Sequence, residues 1–146
     1  MPQVLIVGCG DLGTEIAQQL TTQGFAPVGL RRTLNPQAMF SCLAGDVTSP
    51  ASLSAIKDLN PEYLIYCVAA TSQTDENYRQ HYVEGLKNTL AALEHATALK
   101  HVFFVSSTRM YVHCVEAVGQ ALRCMCRQQH EEGSNCELGE YSVTME

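Results

Sequence analysis

Three glycines, Gly8, Gly10 and Gly13, stand at G-x-G-x-x-G spacing in the stretch "VLIVGCGDLG". Glycines at that spacing let main-chain amides do chemistry: they hold a diphosphate. The first permits a tight turn, the second lets the ligand approach the backbone, and the third lets a helix pack closely on the preceding strand. A helix entered through Asp11 and Leu12 adds unpaired N–H groups and the positive end of its dipole. A glycine turn with no ligand is the alternative reading. The apolar strand before the motif and the helical pattern after it supply the context that the phosphate reading requires.

A second cluster bears on which dinucleotide would be held. Sites that prefer NAD place an acidic residue about 20 positions after the glycines, where it bonds the ribose 2′-hydroxyl. Here the second strand ends at Arg31 and Arg32. A guanidinium is a planar fork that binds phosphate through two donors, so the pair suits a 2′-phosphate and predicts NADP over NAD. A solvated basic pair on a loop is the bland alternative.

The elements that must position these groups can be read from periodicity. Gln3 to Val7 is short, β-branched and ended by glycine, a buried strand. Leu12 to Gln23 is a helix with Leu12, Ile16, Ala17 and Leu20 on one face, stopped by Gly24. Pro27 to Leu30 and Met39 to Leu43 are predicted strands. In "GDVTSP" a hydroxyl residue precedes Pro50, so a helix starts there and runs to about Leu59. Tyr63 to Ala69 is a nearly all-apolar strand, as expected when both faces are covered. Residues 75 to 98 form the longest predicted helix, with Tyr78, Tyr82, Leu86, Thr89, Leu90, Leu93 and Ala96 at three-or-four spacing. Val102 to Val105 is the fifth strand. Alternation of this kind predicts an α/β fold, a doubly wound parallel sheet with strand order 3-2-1-4-5.

Four stretches in order, "GCGDLG", "GDVT", "YCVAATS" with "YVEGLKNTL", and "FFVSSTRMY", carry a resemblance to the extended short-chain dehydrogenase/reductases, in their NAD-dependent epimerase/dehydratase branch. It covers Val4 to Tyr111. The resemblance implies a Rossmann-like domain over residues 1–111 that binds NADP or NAD and, in intact relatives, transfers hydride on a nucleotide-sugar or similar hydroxyl-bearing substrate. By the same resemblance Asp46 accepts a bond from the adenine amino group and Val47 adds a backbone contact. Ala69 and Ala70 line the ribose and nicotinamide side. Ser107 is the catalytic hydroxyl, and Tyr111 shapes the site.

The resemblance breaks at one essential pair. The family's general acid or base is a tyrosine whose pKa is lowered by a lysine four residues later. The residues four after the six tyrosines here are Cys67, Ala70, Tyr82, Leu86, Val115 and Met145, and no lysine follows Lys100. The stretch after Tyr111 also departs in composition: residues 112–146 hold six of the fifteen acidic residues, two of the nine basic ones and four of the seven cysteines. Three readings remain open: a reading-frame disruption, a genuine short paralogue that binds nucleotide without catalysis, and a divergent enzyme with another base. Within residues 112–146, Val115, Val118, Leu122 and Met125 predict a short helix over 115–127, and the polar remainder is predicted to be disordered. That helix could cover the outer edge of the fifth strand, "HVFFV", which would otherwise be exposed and prone to self-association.

Composition sets the outer limits. At 146 residues, 46% hydrophobic and with net charge −6, the chain suits one globular domain and disfavours nucleic acid as a partner. No basic leader or membrane-spanning run is visible, so a cytoplasmic location is expected. Cys9, Cys42 and Cys67 read as free thiols in apolar surroundings. Cys114, Cys124, Cys126 and Cys136, with His113 and His130, lack the paired C-x2-C spacing of a zinc site, so no metal is expected.

Overall fold

The computed structural model describes residues 1–106, Gln120 and residues 142–145. Its elements are β1 (Gln3–Val7), α1 (Asp11–Thr22), β2 (Ala26–Arg31), β3 (Ser41–Ala44), a 3-10 helix (Pro50–Ile56), β4 (Tyr63–Tyr66), α2 (Asp75–Tyr78), a π-helical turn (Arg79–Glu84), α3 (Gly85–Ala92), β5 (His101–Ser106) and β6 (Ser142–Met145). The strands form one sheet in the order β3-β2-β1-β4-β5-β6, and every pairing is parallel. This is a Rossmann-like, doubly wound fold.

Why β1 is apolar at four consecutive positions follows from its place inside the sheet. Alternate side chains of a strand face opposite sides. Val4 and Ile6 join Ala17, Ile16 and Leu20 of α1, whereas Leu5 and Val7 join a larger cluster under the 3-10 helix and α3. All four are at most 1% exposed. The stripe read on the long helix is buried throughout, from Tyr78 to Ala96. It packs on β4 and β5, where the rings of Tyr66 and Phe104 stack with centroids 5.5 Å apart.

The structure corrects several expectations. The segment 75–98 is not one helix: it is broken by the π-helical turn and helical structure ends at Ala92. The element after Pro50 is a 3-10 helix that ends at Ile56. The third strand starts at Ser41, with Met39 outside it and 85% exposed. Leu12, placed on the buried face of α1 by its spacing, is 43% exposed because it lies in the first turn, beyond the sheet.

The sheet also continues past the fifth strand. Residues 142–145 pair in parallel with β5, from Phe103 opposite Ser142 to Ser106 opposite Met145. The predicted disorder of the last residues and the exposed β5 edge are both corrected at this point. "SVTM" contains two β-branched residues, and an unpaired strand edge is a ready template for pairing. Of the predicted helix over 115–127 only Gln120 is described, and it is helical and exposed. Among the described residues no helix is long and apolar enough to cross a membrane.

Candidate functional site

At the carboxyl ends of β1, β2 and β4 lies an open cleft of about 290 Å³. Parallel α/β sheets bind ligands there, at the point where the chain order reverses. Here β2 and β4 flank β1, which makes that crevice.

One wall is the glycine loop. Gly8 takes φ +85°, and a Cβ there would fall 2.7 Å from the amide nitrogen of Val68. The turn is pinned because Gly8 N–H and Cys9 N–H both donate to the carbonyl of Leu30, at 3.0 and 3.1 Å. Gly13 has the same reason to be glycine, since its Cβ would meet the Gly8 carbonyl oxygen at 2.9 Å. Gly10 precedes α1 and offers no side chain to cap it. Gly10 N–H donates to Gly8 O and Thr14 N–H to Gly10 O, each at 2.9 Å. The N–H groups of Asp11, Leu12 and Gly13 have no acceptor among the described residues. They are the orphan donors of a helix first turn.

The opposite wall is made of side chains. Asp46 Oδ1 accepts from Thr48 N–H at 2.9 Å and from the Thr48 hydroxyl at 2.7 Å. The Thr48 hydroxyl bond holds the Asp46 carboxyl below its ordinary range, with nearby Arg32 a lesser cause. Ser52 fixes the loop: its hydroxyl donates toward Asp46 O and accepts from Asp46 N–H, both at 2.8 Å. Asn88 of α3 donates to Val47 O at 2.8 Å.

Behind Val47 the packing is tight. A Cβ on Gly85 would strike the Tyr66 phenol oxygen and come within 2.8 Å of Val47 Cγ2. The Tyr66 phenol donates to the carbonyl of His81 in the π-helical turn. Burial pushes that phenol far up from its usual pKa, so it remains a neutral donor. His81 is among the residues that line the cleft. Beyond β4, the loop is tied by Asn77, whose Oδ1 accepts from Thr71 N–H at 2.8 Å and Ser72 N–H at 3.0 Å.

Of the residues singled out in the sequence, Gly8, Gly10, Arg31, Arg32, Asp46, Val47 and Ala69 line this cleft. Gly13 supports it from behind. Asp11 and Leu12 stand at the α1 entry and are exposed. Ala70 packs on the core under the cleft and does not line it. Ser107 and Tyr111 lie outside the described residues.

The sequence reading missed Cys9, Cys67, Thr33, Gly45 and His81, which also line the cleft. Burial pushes the Cys9 thiol up from its usual value, so it adds no negative charge beside the glycine loop. Its position inside the glycine motif was the available signal. His81 carried none beyond being polar in an apolar helical stripe. Among the described residues no group of His, Cys, Asp and Glu is arranged to hold a metal ion.

A parallel doubly wound sheet, a glycine turn opening a helix and an acidic loop across the switch point define a nucleotide-binding α/β domain. The sequence matches the profile of the NAD dependent epimerase/dehydratase family over residues 4–127. The chain belongs to that family. Among solved structures, a protein of Methylobacillus flagellatus assigned as an NAD-dependent epimerase/dehydratase is 38% identical, with a TM-score of 0.66 over 99% of this chain and 52% of its own. The Bordetella bronchiseptica enzyme WbmH, in complex with NAD+, is 17% identical with a TM-score of 0.65, over 86% of this chain and 52% of its own. A UDP-glucose 4-epimerase is 16% identical with a TM-score of 0.71, over 98% of this chain and 50% of its own. The last two likenesses concern the fold. The chain spans about half the length of these structures. No curated protein matches it at a comparable level.

Proposed function

We propose that this chain is the dinucleotide-binding half of an epimerase/dehydratase-type oxidoreductase and that it prefers NADP to NAD. The observation that carries the reading is the convergence on one cleft of the Gly8–Gly10 turn, the uncapped entry of α1, the two arginines and Asp46. Diphosphate oxygens need donors, and the amides of Asp11, Leu12 and Gly13 are unspent. An adenine amino group needs an acceptor. Asp46, held as a carboxylate, has its Oδ2 for that bond while Oδ1 serves Thr48. Val47 N–H and the Ala69 edge complete the outline of a nucleoside, and Ala70 supports that edge from the core. Arg31 and Arg32 in the cleft lining support the NADP preference, because a guanidinium pair suits a 2′-phosphate and the second strand ends in these arginines in place of the acidic residue that serves a 2′-hydroxyl.

When bound, the nicotinamide supplies a hydride acceptor or donor. The chain's own contribution to chemistry would be the hydroxyl of Ser107, which the family resemblance assigns to the substrate oxygen; the substrate class would be a nucleotide-sugar or a similar hydroxyl-bearing molecule. These 146 residues carry no Tyr-x-x-x-Lys pair, so the chain alone is expected to bind and to turn over little. That missing pair also favours a second reading, a non-catalytic module that senses NADP and reports it to a partner.

Ligand-dependent melting tests the proposal. Binding to the folded state alone raises stability as RT ln(1 + [L]/Kd). A shift with NADP(H) that exceeds the shift with NAD(H) is expected, and Arg31→Asp with Arg32→Ala should erase the difference. No shift with either dinucleotide would refute the reading. Turnover by the isolated chain would refute the expectation of inactivity.

A further inference from the structure

Two thiols face one spot on the α1 side of the sheet, above Gly29 of β2. Cys9, between the first two glycines of the phosphate turn, is 1% exposed and packs with Ala17 of α1. Its side chain lies over Gly29, where an added Cβ would fall 2.9 Å from Cys9 Sγ and 3.1 Å from Cys9 Cβ. Cys42 of β3 is the in-register neighbour of Gly29. Paired residues of parallel strands point to the same face, and the strands lie about 4.8 Å apart. Cys42 therefore projects to the face on which Cys9 Sγ rests, and Gly29 puts no side chain between them. The two thiols act on one another electrostatically, and Arg31, two residues along β2 from Gly29, acts on both. Phe40 Cε2 approaches the same spot, 2.9 Å from the Gly29 Cβ position, from the loop before β3.

Both thiols are free, and the dinucleotide reading uses neither sulfur. Cys42 is the accessible one: it is partly exposed and stands on the edge strand of the sheet. That strand has four residues and is paired on one side only. It can give way by the small shift that an S–S bond demands, which needs the two Cα atoms within about 7 Å.

We propose that Cys9 and Cys42 are a reversible redox pair, oxidised to a disulfide by low-molecular-weight disulfides, and that the bond weakens dinucleotide binding. The coupling rests on the dinucleotide reading above; the cross-link does not. The Cys42 thiolate attacks one sulfur of the small disulfide, breaks its S–S bond and releases one thiolate. Cys9, as it loses its proton, attacks the Cys42 sulfur of the mixed disulfide and releases the second. Two protein thiols are thus oxidised to one disulfide, the small disulfide is reduced to two thiols, and the two protons end on those thiols. Burial pushes both protein thiols up from their ordinary values, so little thiolate forms at neutral pH and the exchange is slow.

The bond would tie the phosphate turn to an edge strand. Gly8 and Cys9 N–H hold the turn on Leu30 O at 3.0 and 3.1 Å, and the backbone of Cys67 and Val68 leaves Gly8 no room to shift. A pull on Cys9 distorts the turn that faces the diphosphate, and it acts beside Arg31, which lines the cleft.

The test uses the full chain carrying C114S, C124S, C126S and C136S, which leaves Cys9, Cys42 and Cys67. Oxidised glutathione is the oxidant. Trypsin cuts after Arg31, Arg32 and Lys57, so Cys9 and Cys42 fall on separate peptides, 1–31 and 33–57, and Cys67 on a third. Mass spectrometry should find the first two joined, and a dithiol reductant should part them. NADP+ affinity should fall about tenfold on oxidation, an ordinary size for coupling between two sites. By linkage, saturating NADP+ should lower the disulfide-to-dithiol ratio in a glutathione buffer by the same factor, a shift of about 30 mV. Cys42→Ser should keep the affinity of the reduced chain under oxidant, with Cys42→Ala in its place if melting curves show that the serine variant does not fold.

Peptide 1–31 joined to the Cys67 peptide, or peptide 33–57 carrying glutathione with no cross-link, would overturn the proposal. So would a bond between Cys9 and Cys42 that leaves NADP+ affinity unchanged, or an oxidant effect on affinity that survives the Cys42 substitution. If neither NADP+ nor NAD+ binds the reduced chain, the dinucleotide reading and the coupling fall together, and the peptide map alone decides the thiol pair.

Discussion

The two walls of the cleft are built by different means. The glycine-loop wall is backbone: one positive-φ turn, two amides on a single carbonyl, and a helix entry with nothing capping it. Nearly all of it lies within a dozen consecutive residues. The opposite wall is assembled from side chains that reach across the sequence. Tyr66 bonds a carbonyl 15 residues on, and Asn88 bonds one 41 residues back. The first wall should fail when an atom is added at Gly8 or Gly13. The second should fail by degrees, one bond at a time.

Gly8→Ala would break the first wall outright. The new Cβ would overlap the backbone of Val68 and Cys67, which has no flexible end to move aside, and the residue would sit at a φ that L side chains rarely adopt. A loss of about 3 kcal/mol or more is expected. It can be read by denaturant unfolding, together with loss of the dinucleotide melting shift. A variant that binds as wild type would show that the turn geometry is not what holds the ligand.

Gly85→Ala makes the matching insult to the second wall. Its Cβ meets the Tyr66 phenol oxygen and Val47, both ends of side chains. Overpacking there should cost about 2 kcal/mol. Tyr66→Phe removes the atom in the way but leaves the His81 carbonyl unbonded, for about 1–2 kcal/mol. Because the two changes share one contact, the double variant should be less destabilised than the sum of the singles. Simple additivity in unfolding experiments would mean that Tyr66 and Gly85 do not meet.

The same contrast governs what the sequence discloses. β1 is legible to the residue, because four apolar residues ending in glycine have one sensible reading. The strand order follows from alternation and the switch point. The glycine wall is legible because Gly8 and Gly13 answer local needs of the turn and of helix packing. The other wall is not. Asp46 and Val47 are found only through family likeness, and nothing in "RQHYVEG" announces a π-helical turn, because its stripe of Tyr78, Tyr82 and Leu86 fits an unbroken helix equally well. The turn is fixed by a phenol on another strand. Met39 misled for the converse reason: it is apolar yet 85% exposed, beside a strand that begins two residues later. The pairing of "SVTM" with β5 depends on a free edge far away in sequence, which composition does not register.

Smaller changes sharpen the picture of the second wall. Asn88→Ala removes the donor to Val47 O. Removing one such bond at a half-buried site should lower stability by about 1 kcal/mol and weaken dinucleotide binding with little change in NADP-over-NAD preference, since the arginines are untouched. A lost preference would mean that the Val47 loop also positions Arg31 and Arg32.

The smallest effect belongs to Asp46, and its sign is fixed by the bonds it accepts. The Thr48 hydroxyl, then the Thr48 amide, favour the charged carboxylate against the opposing effect of partial burial, so the folded-state pKa lies below the ordinary value of 3.8. A depressed value in the folded state means that the carboxylate stabilises the fold above the unfolded-state pKa. That contribution is lost as pH falls through the folded-state value. Asp46→Asn keeps an acceptor for both Thr48 donors but removes the charge. The wild-type chain should therefore be the more stable of the two at about pH 7, and the two should converge as pH falls below the folded-state value. Unfolding curves at neutral pH and through the acid range measure this directly. A difference that persists in acid would show that the turn depends on the shape of the side chain, and that its charge is left for the ligand.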